Sequence, residues 1–147
     1  MKLSKFIYKI YAPKIALAHC DIPCGIYTIE PAITAAKTVI KMTQKLKDLN
    51  PPKNNENKQE VLEFLTSVSR FTATKEEHAQ KCKQELLILW TDFFKEHHLN
   101  MFPDLHNIFW KATKLCSKVK QEVSLENARE LEKIVNEIAE IFHKANN

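Results

Sequence analysis

The sequence predicts an all-α protein, an up-and-down four-helix bundle preceded by a non-helical hook. Only one glycine occurs in 147 residues. The tight turns that join β-strands commonly need glycine, so the composition argues against a β-sheet protein. Residues that favour helices, such as leucine, lysine, glutamate and alanine, are abundant. Apolar residues recur at helical spacing in four stretches with short joins, which is the pattern of such a bundle. We expect one domain over residues 19–147.

Residues 1–18 are predicted to be a removable leader. They contain four lysines and no acidic residue, and they end in Ala-Leu-Ala, the small-residue pattern of a cleavage site. A secretory signal is the competing interpretation. Two lysines and a proline interrupt the apolar residues, however, so that no run reaches the usual length of about 7 to 15.

Residues 19–27, with the sequence HCDIPCGIY, are predicted to fold back as a hook. Pro23 removes a backbone donor and disfavours the helical conformation of the residue before it, while Gly25 frees the backbone. The sulfur atoms of Cys20 and Cys24 could then face one metal ion. The ordinary alternatives are a local disulfide between them or two thiols in a disordered tail.

Cleavage before His19 would create a further metal ligand, because its free α-amine has an ordinary pKa near 8. That amine, the backbone nitrogen and sulfur of Cys20, and the sulfur of Cys24 make a square-planar nitrogen and sulfur set. Nickel(II) or copper(II) suits this geometry better than zinc does. The His19 ring remains available as an axial ligand.

The first helix is predicted to open near Glu30 and to end before Asn50. The second is predicted to begin after Asn57, an N-terminal cap, with a kink or restart over residues 71–74 and an end near His97. Pro103 is predicted to open the third helix and Ser124 to cap the last one. Apolar residues at helical spacing define the expected inner face of each helix. For the first helix they are Ile29, Ala32, Ile33, Ala36, Ile40 and Leu46, and for the second they are Val61, Phe64, Leu65, Val68 and Phe71, continued by Ala79, Cys82, Leu86, Leu89 and Phe93. For the third helix they are Leu105, Ile108, Phe109, Ala112, Cys116 and Val119, and for the last they are Ala128, Leu131, Val135, Ile138, Phe142 and Ala145.

The remaining histidines and aromatic residues are given structural interpretations. His97 and His98 are adjacent, so that they point in different directions, and we expect a solvated surface pair. His106 and His143 are expected to be structural. Four aromatic residues, Trp90, Phe93, Phe94 and Phe102, are expected to serve in packing, near the hook or at a subunit contact.

The charge of the chain excludes two classes of partner. The whole chain has 22 basic and 18 acidic residues, and loss of the leader with its four lysines leaves equal numbers. A nucleic-acid or anionic-membrane partner would need a surviving basic excess. No stretch approaches the roughly 18 apolar residues that a membrane span requires.

The hook resembles the active-site hook of nickel superoxide dismutases, whose mature chains begin with His-Cys-Asp, a variable residue and Pro-Cys-Gly, followed one residue later by Tyr. Residues 19–27 match that spacing, and residues 89–95 and 102–106 resemble a later family segment. The resemblance implies that His19, Cys20 and Cys24 bind one nickel ion per subunit. It also implies that Asp21 and Tyr27 shape the pocket that admits superoxide, and that the bond before Pro23 is cis.

The resemblance also implies partners and a compartment. It implies a peptidase that removes the leader, a homohexamer with hooks against neighbouring subunits, and a cytoplasmic location, where the thiols stay reduced.

Thiolates and an ionised amide would lower the reduction potential of the metal, so that superoxide can both reduce and oxidise it.

The chain departs from the family in the surroundings of the hook. A glutamate and an arginine that hold the axial histidine in the family fall on Ala35 and His78, and a tyrosine falls on Phe93. We expect another residue to hold the His19 ring, either His78 or Glu77.

Two other functions compete with superoxide dismutation. One is a nickel- or copper-trafficking protein, which would bind metal without turnover. The other is a secreted helical interaction module with a disulfide between Cys20 and Cys24.

Overall fold

The computed structural model describes residues 25–54 and 56–146, and within these ranges it contains helices and no strand. The α-helices are α1 (Glu30–Asp48), α2 (Lys58–Ile88), α3 (His98–Met101), α4 (Leu105–Gln121) and α5 (Leu125–Ala145). A π-helical turn, Leu89–Phe93, continues α2. The predicted all-α class is confirmed.

The four long helices form the predicted up-and-down bundle. Helix α1 packs against α2 and α5, and α4 packs against the same two helices. Each long helix therefore packs against the next one in the chain, and the last returns to the first. Helix α3 is a single extra turn in the connection between α2 and α4.

The core contains most of the predicted inner faces of α4 and α5 and of the second half of α2. The prediction for α1 was partly wrong, because Ile33 and Ile40 are only half-buried, whereas Ala35 and Val39 are fully buried. The buried face of α1 is thus centred on its small residues. Small side chains at that face allow α1 to lie close to its neighbours.

The first half of α2 contributes no fully buried side chain, so the predicted face from Val61 to Phe71 was wrong as a buried core. Leu62 is 49% exposed and Leu65 is 55% exposed, and the first buried residue of the helix is Lys75. The reason is length. Helix α2 has 31 residues and α4 has 17, so that at about 1.5 Å per residue α2 is roughly 20 Å longer.

The predicted helix boundaries were correct at the caps and wrong at three other places. The side chains of Asn57 and Ser124 cap α2 and α5 by accepting backbone hydrogen bonds, as expected. Helix α2 passes residues 71–74 without a restart, because packing overrides the weak helix propensity of its threonines. The helical segment ends at Phe93 rather than near His97, since Phe94 is extended. Helix α4 begins at Leu105, two residues after Pro103.

No helix in the described part of the chain combines the length and the apolar character that a membrane span requires.

Candidate metal centre

The predicted metal ligands His19, Cys20 and Cys24, together with Asp21, lie outside the described residues, as does the bond before Pro23. Gly25 is the first hook residue that the structure describes, and its φ is +84°. This left-handed conformation is readily available to glycine alone and agrees with the predicted turn. A side chain at this position would be strained even though it would meet no neighbouring atom.

Tyr27 rests on an aromatic cluster at one end of the bundle. Its ring centroid lies 5.6 Å from that of Phe93, in an edge-to-face arrangement. Phe93 in turn lies 4.6 Å from Phe142 of α5 and 4.9 Å from Phe94, again between ring centroids. The predicted packing of aromatic residues near the hook is therefore confirmed at Phe93.

The π-helical turn explains the position of Phe93. The backbone N–H of Phe94 donates to the carbonyl of Leu89, five residues earlier, over 3.0 Å. A single π-helical turn changes the direction in which the following side chains point, and such turns are frequent at functional sites. This turn could not be predicted from local sequence patterns, because it depends on the packing around the aromatic residues.

His98 lies beneath the same cluster, which makes the predicted solvated histidine pair wrong for this residue. His98 is 6% exposed, and its ring stacks on Phe93 with the centroids 5.8 Å apart. Its Nδ1 accepts a hydrogen bond of 2.9 Å from the backbone N–H of Lys95. Burial, followed by the nearby His97, lowers its pKa. His97 itself is exposed, as expected.

His106, at the other side of the cluster, has the structural role that we expected. Its Nδ1 accepts a hydrogen bond of 2.9 Å from Nε1 of Trp90. The Trp90 ring also stacks on Phe109, with the centroids 5.8 Å apart. These contacts join the end of α2 to the beginning of α4.

A cavity of about 390 Å³ lies between the start of α1 and the middle of α2. Thr28, Thr34 and Ala35 border it on one side, and His78 and Lys81 border it on the other. The side-chain Nδ1 of His78 is buried and has no hydrogen-bond partner. The two positions at which the chain departs from the family pattern, Ala35 and His78, thus lie at one cavity.

The mouth of this cavity carries a negative charge. The Thr28 hydroxyl donates a hydrogen bond to the Glu30 carboxylate. This bond, and to a smaller extent the charge of His143 on α5, lowers the pKa of Glu30. The carboxylate therefore stays ionised at neutral pH.

The described residues complement the predicted ligands rather than replace them. No three histidine, cysteine, aspartate or glutamate side chains within residues 25–54 and 56–146 are grouped so that they could hold a metal ion. A histidine that binds a metal usually donates its other ring N–H to an acceptor, and the unpartnered Nδ1 of His78 is one atom that could accept such a bond. Two thiolates with nitrogen donors also fit nickel.

Cys82 and Cys116 are core residues, as the sequence predicted. Both thiols are free and fully buried. A hydrogen bond with Cys116 and the burial of the site raise the pKa of Cys82 far above its ordinary range. Thiols in this state are poor metal ligands, since a metal binds the thiolate.

Comparison with known proteins places the chain among nickel enzymes. Residues 14–146 match the family model described as nickel-containing superoxide dismutase. The chain is 29% identical to superoxide dismutase [Ni] of Streptomyces seoulensis over 135 residues, which cover 91% of this chain and 93% of that protein. It is 32% identical to superoxide dismutase [Ni] of Streptomyces coelicolor over 113 residues, 76% of each chain.

A solved structure agrees with the sequence matches. A native structure of nickel superoxide dismutase superposes with a TM-score of 0.73 at 27% identity, covering 88% of this chain and 100% of that one. The family match spans the hook and the whole bundle, and the fold agrees with it. The chain therefore belongs to the nickel-containing superoxide dismutase family.

Proposed function

We propose that the protein is a nickel-dependent superoxide dismutase, which converts superoxide and protons into dioxygen and hydrogen peroxide with one nickel ion per subunit. One observation carries the proposal: the hook at residues 19–27 lies inside the span matched by the family model. The hook has the donor atoms that a redox-active nickel ion requires.

The hook residues have separate roles in this proposal. The α-amine of His19, the backbone nitrogen and thiolate of Cys20, and the thiolate of Cys24 would hold the ion, and the His19 ring would be available as a further ligand. When bound, nickel supplies one-electron chemistry between its +2 and +3 states. Asp21 and Tyr27 border the pocket and restrict it to a small anion. The packing of Tyr27 on Phe93 supports this role, because it fixes the ring against the bundle.

The proposal includes removal of the leader before His19 by a partner peptidase. The nickel superoxide dismutase structure is covered over its full length by 88% of this chain. The rest of the chain lies outside that match, as a removable leader would. Without the cut, the nitrogen of His19 is an amide and a much weaker ligand.

The assembly and location are also proposals. We expect a homohexamer in the cytoplasm, with hooks against neighbouring subunits. Exposed apolar side chains, with Trp110 54% and Met101 55% accessible in the single chain, are consistent with subunit contacts. Native mass spectrometry of the processed, nickel-loaded protein tests the number of subunits.

Metal trafficking without turnover is less favoured, because both Streptomyces relatives described above are superoxide dismutases. The deciding experiment measures bound nickel and copper together with superoxide decay on the processed protein, whose first residue is identified by mass spectrometry. We expect stoichiometric nickel and rapid decay. Bound metal without dismutation would support trafficking, whereas a disulfide between Cys20 and Cys24 without metal would support the secreted module.

The two hook cysteines provide the sharpest variants. Cys20→Ser and Cys24→Ser should each abolish nickel-dependent activity and leave the helical content unchanged. Cys116→Ala is the matched control, because Cys116 is a core cysteine that takes no part in the site. Retained activity in either hook variant would contradict the ligand assignment. A chain with an uncleavable leader should be folded, nickel-poor and inactive.

A further inference from the structure

Cys82 of α2 and Cys116 of α4 lie in contact in the core of the bundle. Both thiols are free, and both side chains are 0% exposed. A hydrogen bond joins the two thiols. The cysteines are far apart in the chain, so the contact between them exists only because α2 and α4 pack against each other.

Hydrogen bonds between α2 and α4 fix the register of the two helices around this pair. The residues that follow the cysteines, Lys83 and Ser117, are joined by a bond of 3.1 Å from Nζ to Oγ. Lys120 of α4 also donates to Oε1 of Gln80 on α2, over 3.0 Å. These contacts hold the segments that carry the two cysteines side by side.

The backbones of packed helices are close enough for a disulfide at such a contact. When helix axes lie about 8 to 10 Å apart, Cα atoms that face each other come within roughly 4 to 6 Å. A disulfide needs Cα atoms about 4.4 to 6.8 Å apart. The thiols of Cys82 and Cys116 already touch, so a bond between them requires little movement of the helices.

We propose that Cys82 and Cys116 are a modification site for hydrogen peroxide, at which oxidation joins them in a disulfide that links α2 to α4. The inference goes beyond the proposed function, and only one source of the oxidant, the peroxide that dismutation releases, rests on that function. Both thiols are buried, so peroxide reaches them when the core opens locally. Closing of the core then brings the oxidised sulfur back against the other thiol.

The reaction has two steps. The thiolate of one cysteine attacks hydrogen peroxide, so that an S–O bond forms, the O–O bond breaks and hydroxide leaves, which gives a sulfenic acid. The thiolate of the other cysteine attacks this sulfur, the S–S bond forms, and the oxygen leaves as a second hydroxide. The two protons that the thiols lose convert both hydroxides into water. Two thiols and one peroxide thus give one disulfide and two waters.

The second thiol decides what oxidation does to the fold. A sulfenic acid without a neighbouring thiol is oxidised further to a sulfinic acid, which is irreversible in most proteins. A sulfinate in the core would be a buried charge without a partner. A disulfide is apolar and reversible, and it stabilises the folded chain by closing a long loop. The pair therefore converts a damaging oxidation into a reversible cross-link.

The test uses the full chain with Cys20→Ser and Cys24→Ser, which leaves Cys82 and Cys116 as the remaining two of its four cysteines. Hydrogen peroxide is added at a urea concentration just below the unfolding transition, and the products are identified by peptide mass spectrometry without reduction. We expect one intramolecular disulfide as the main oxidised product, with unchanged helical content. The urea midpoint should rise and should return to its original value with dithiothreitol.

Two control variants in the same background separate the pair from its surroundings. Cys116→Ala removes the second thiol, so Cys82 should accumulate sulfinic acid and the urea midpoint should fall after oxidation. Cys116→Ala combined with Lys118→Cys keeps two thiols and nearly the same loop, but the second thiol lies at an exposed position of α4. This shifted variant should give about 10-fold less cross-link, because its thiols do not meet in the folded protein.

Four results would overturn the inference. They are sulfinic acid in the two-cysteine protein at the yield found for Cys82 alone, equal cross-linking in the shifted variant, a urea midpoint lowered by the disulfide, and thiols that stay unoxidised until the protein unfolds. The background lacks the hook thiols, so none of these results bears on dismutation. A native chain that fails to dismutate superoxide would overturn the proposed function and leave the modification site intact.

Discussion

Lys75 of α2 donates a hydrogen bond of 2.6 Å from its ammonium group to the backbone carbonyl of Val119, near the end of α4. The same Nζ donates to the carbonyls of Lys120 and Glu122, at 2.9 and 3.0 Å. The last carbonyls of a helix have no partner within it. A side chain from one helix thus caps the C-terminal end of another, although Lys75 is only 1% exposed. Burial lowers the pKa of Lys75.

Lys75→Met should destabilise the protein, because it leaves the three carbonyls without their donor while keeping the volume of the side chain. We expect the free energy of unfolding in urea to fall by about 3 kcal/mol. Lys83→Met is the matched control, since Lys83 on the same helix makes one hydrogen bond, of 3.1 Å, to the Ser117 hydroxyl. Its loss should cost less than about 1 kcal/mol. Equal effects of the two changes would contradict the capping role.

Stability should fall in mild acid because of His98. Its pKa is lowered in the folded protein, so the unfolded chain binds a proton first as the pH falls. The contribution of neutral His98 is therefore complete above the unfolded pKa of about 6.5 and is lost as the pH falls through the lowered folded value. Protonation of Nδ1 would also break its bond with the Lys95 N–H. Urea unfolding at a series of pH values measures the effect.

His98→Asn should flatten this pH dependence, because the asparagine oxygen can accept the same bond without titrating in this range. His97→Gln is the control, since His97 is exposed, and it should leave the dependence unchanged. A wild-type slope that persists in His98→Asn would assign the acid sensitivity to another group.

Phe93→Ala should affect both stability and the site. It removes a half-buried ring that contacts Tyr27, Phe94, His98 and Phe142, and we expect a loss of about 2 kcal/mol in thermal or urea unfolding. Because Tyr27 loses its support, the dismutation rate should fall even below the melting temperature. Trp110→Ala, at a 54% exposed position, should cost less than about 1 kcal/mol. A Phe93→Ala protein with full activity would separate the aromatic cluster from the site.

Cys82 and Cys116 should resist alkylation in the folded protein. The raised pKa of Cys82 keeps its thiol protonated at neutral pH, and both side chains are fully buried; the thiolate is the reactive form. Iodoacetamide followed by peptide mass spectrometry should find neither residue modified until urea is added. Lys118→Cys, at an exposed position of α4, supplies a positive control. Labelling of Cys82 at the rate of that control would show that the core opens readily.

The family and the nickel cofactor that the sequence predicted are confirmed, whereas the ligand assignments within residues 19–24 stay predictions. The hook string and its spacing indicated the metal, the ligands and the family, because a short chelating segment needs its donor atoms close together in the chain. Counting along the chain from the hook also indicated that Ala35 and His78 occupy the positions at which the family has a glutamate and an arginine. Nothing local indicated that His78 would border a cavity with an unpartnered nitrogen.

What the sequence determined by itself was the helical class, the number of long helices and the two side-chain caps. Each of these follows from periodicity or chemistry within a few neighbouring residues. Only the tertiary structure decided that Lys75 would cap α4, that His98 would be buried under Phe93, and that the first half of α2 would extend past the core. These properties depend on the lengths of helices distant in sequence and on which of their faces meet, and such relations are fixed only when the helices pack.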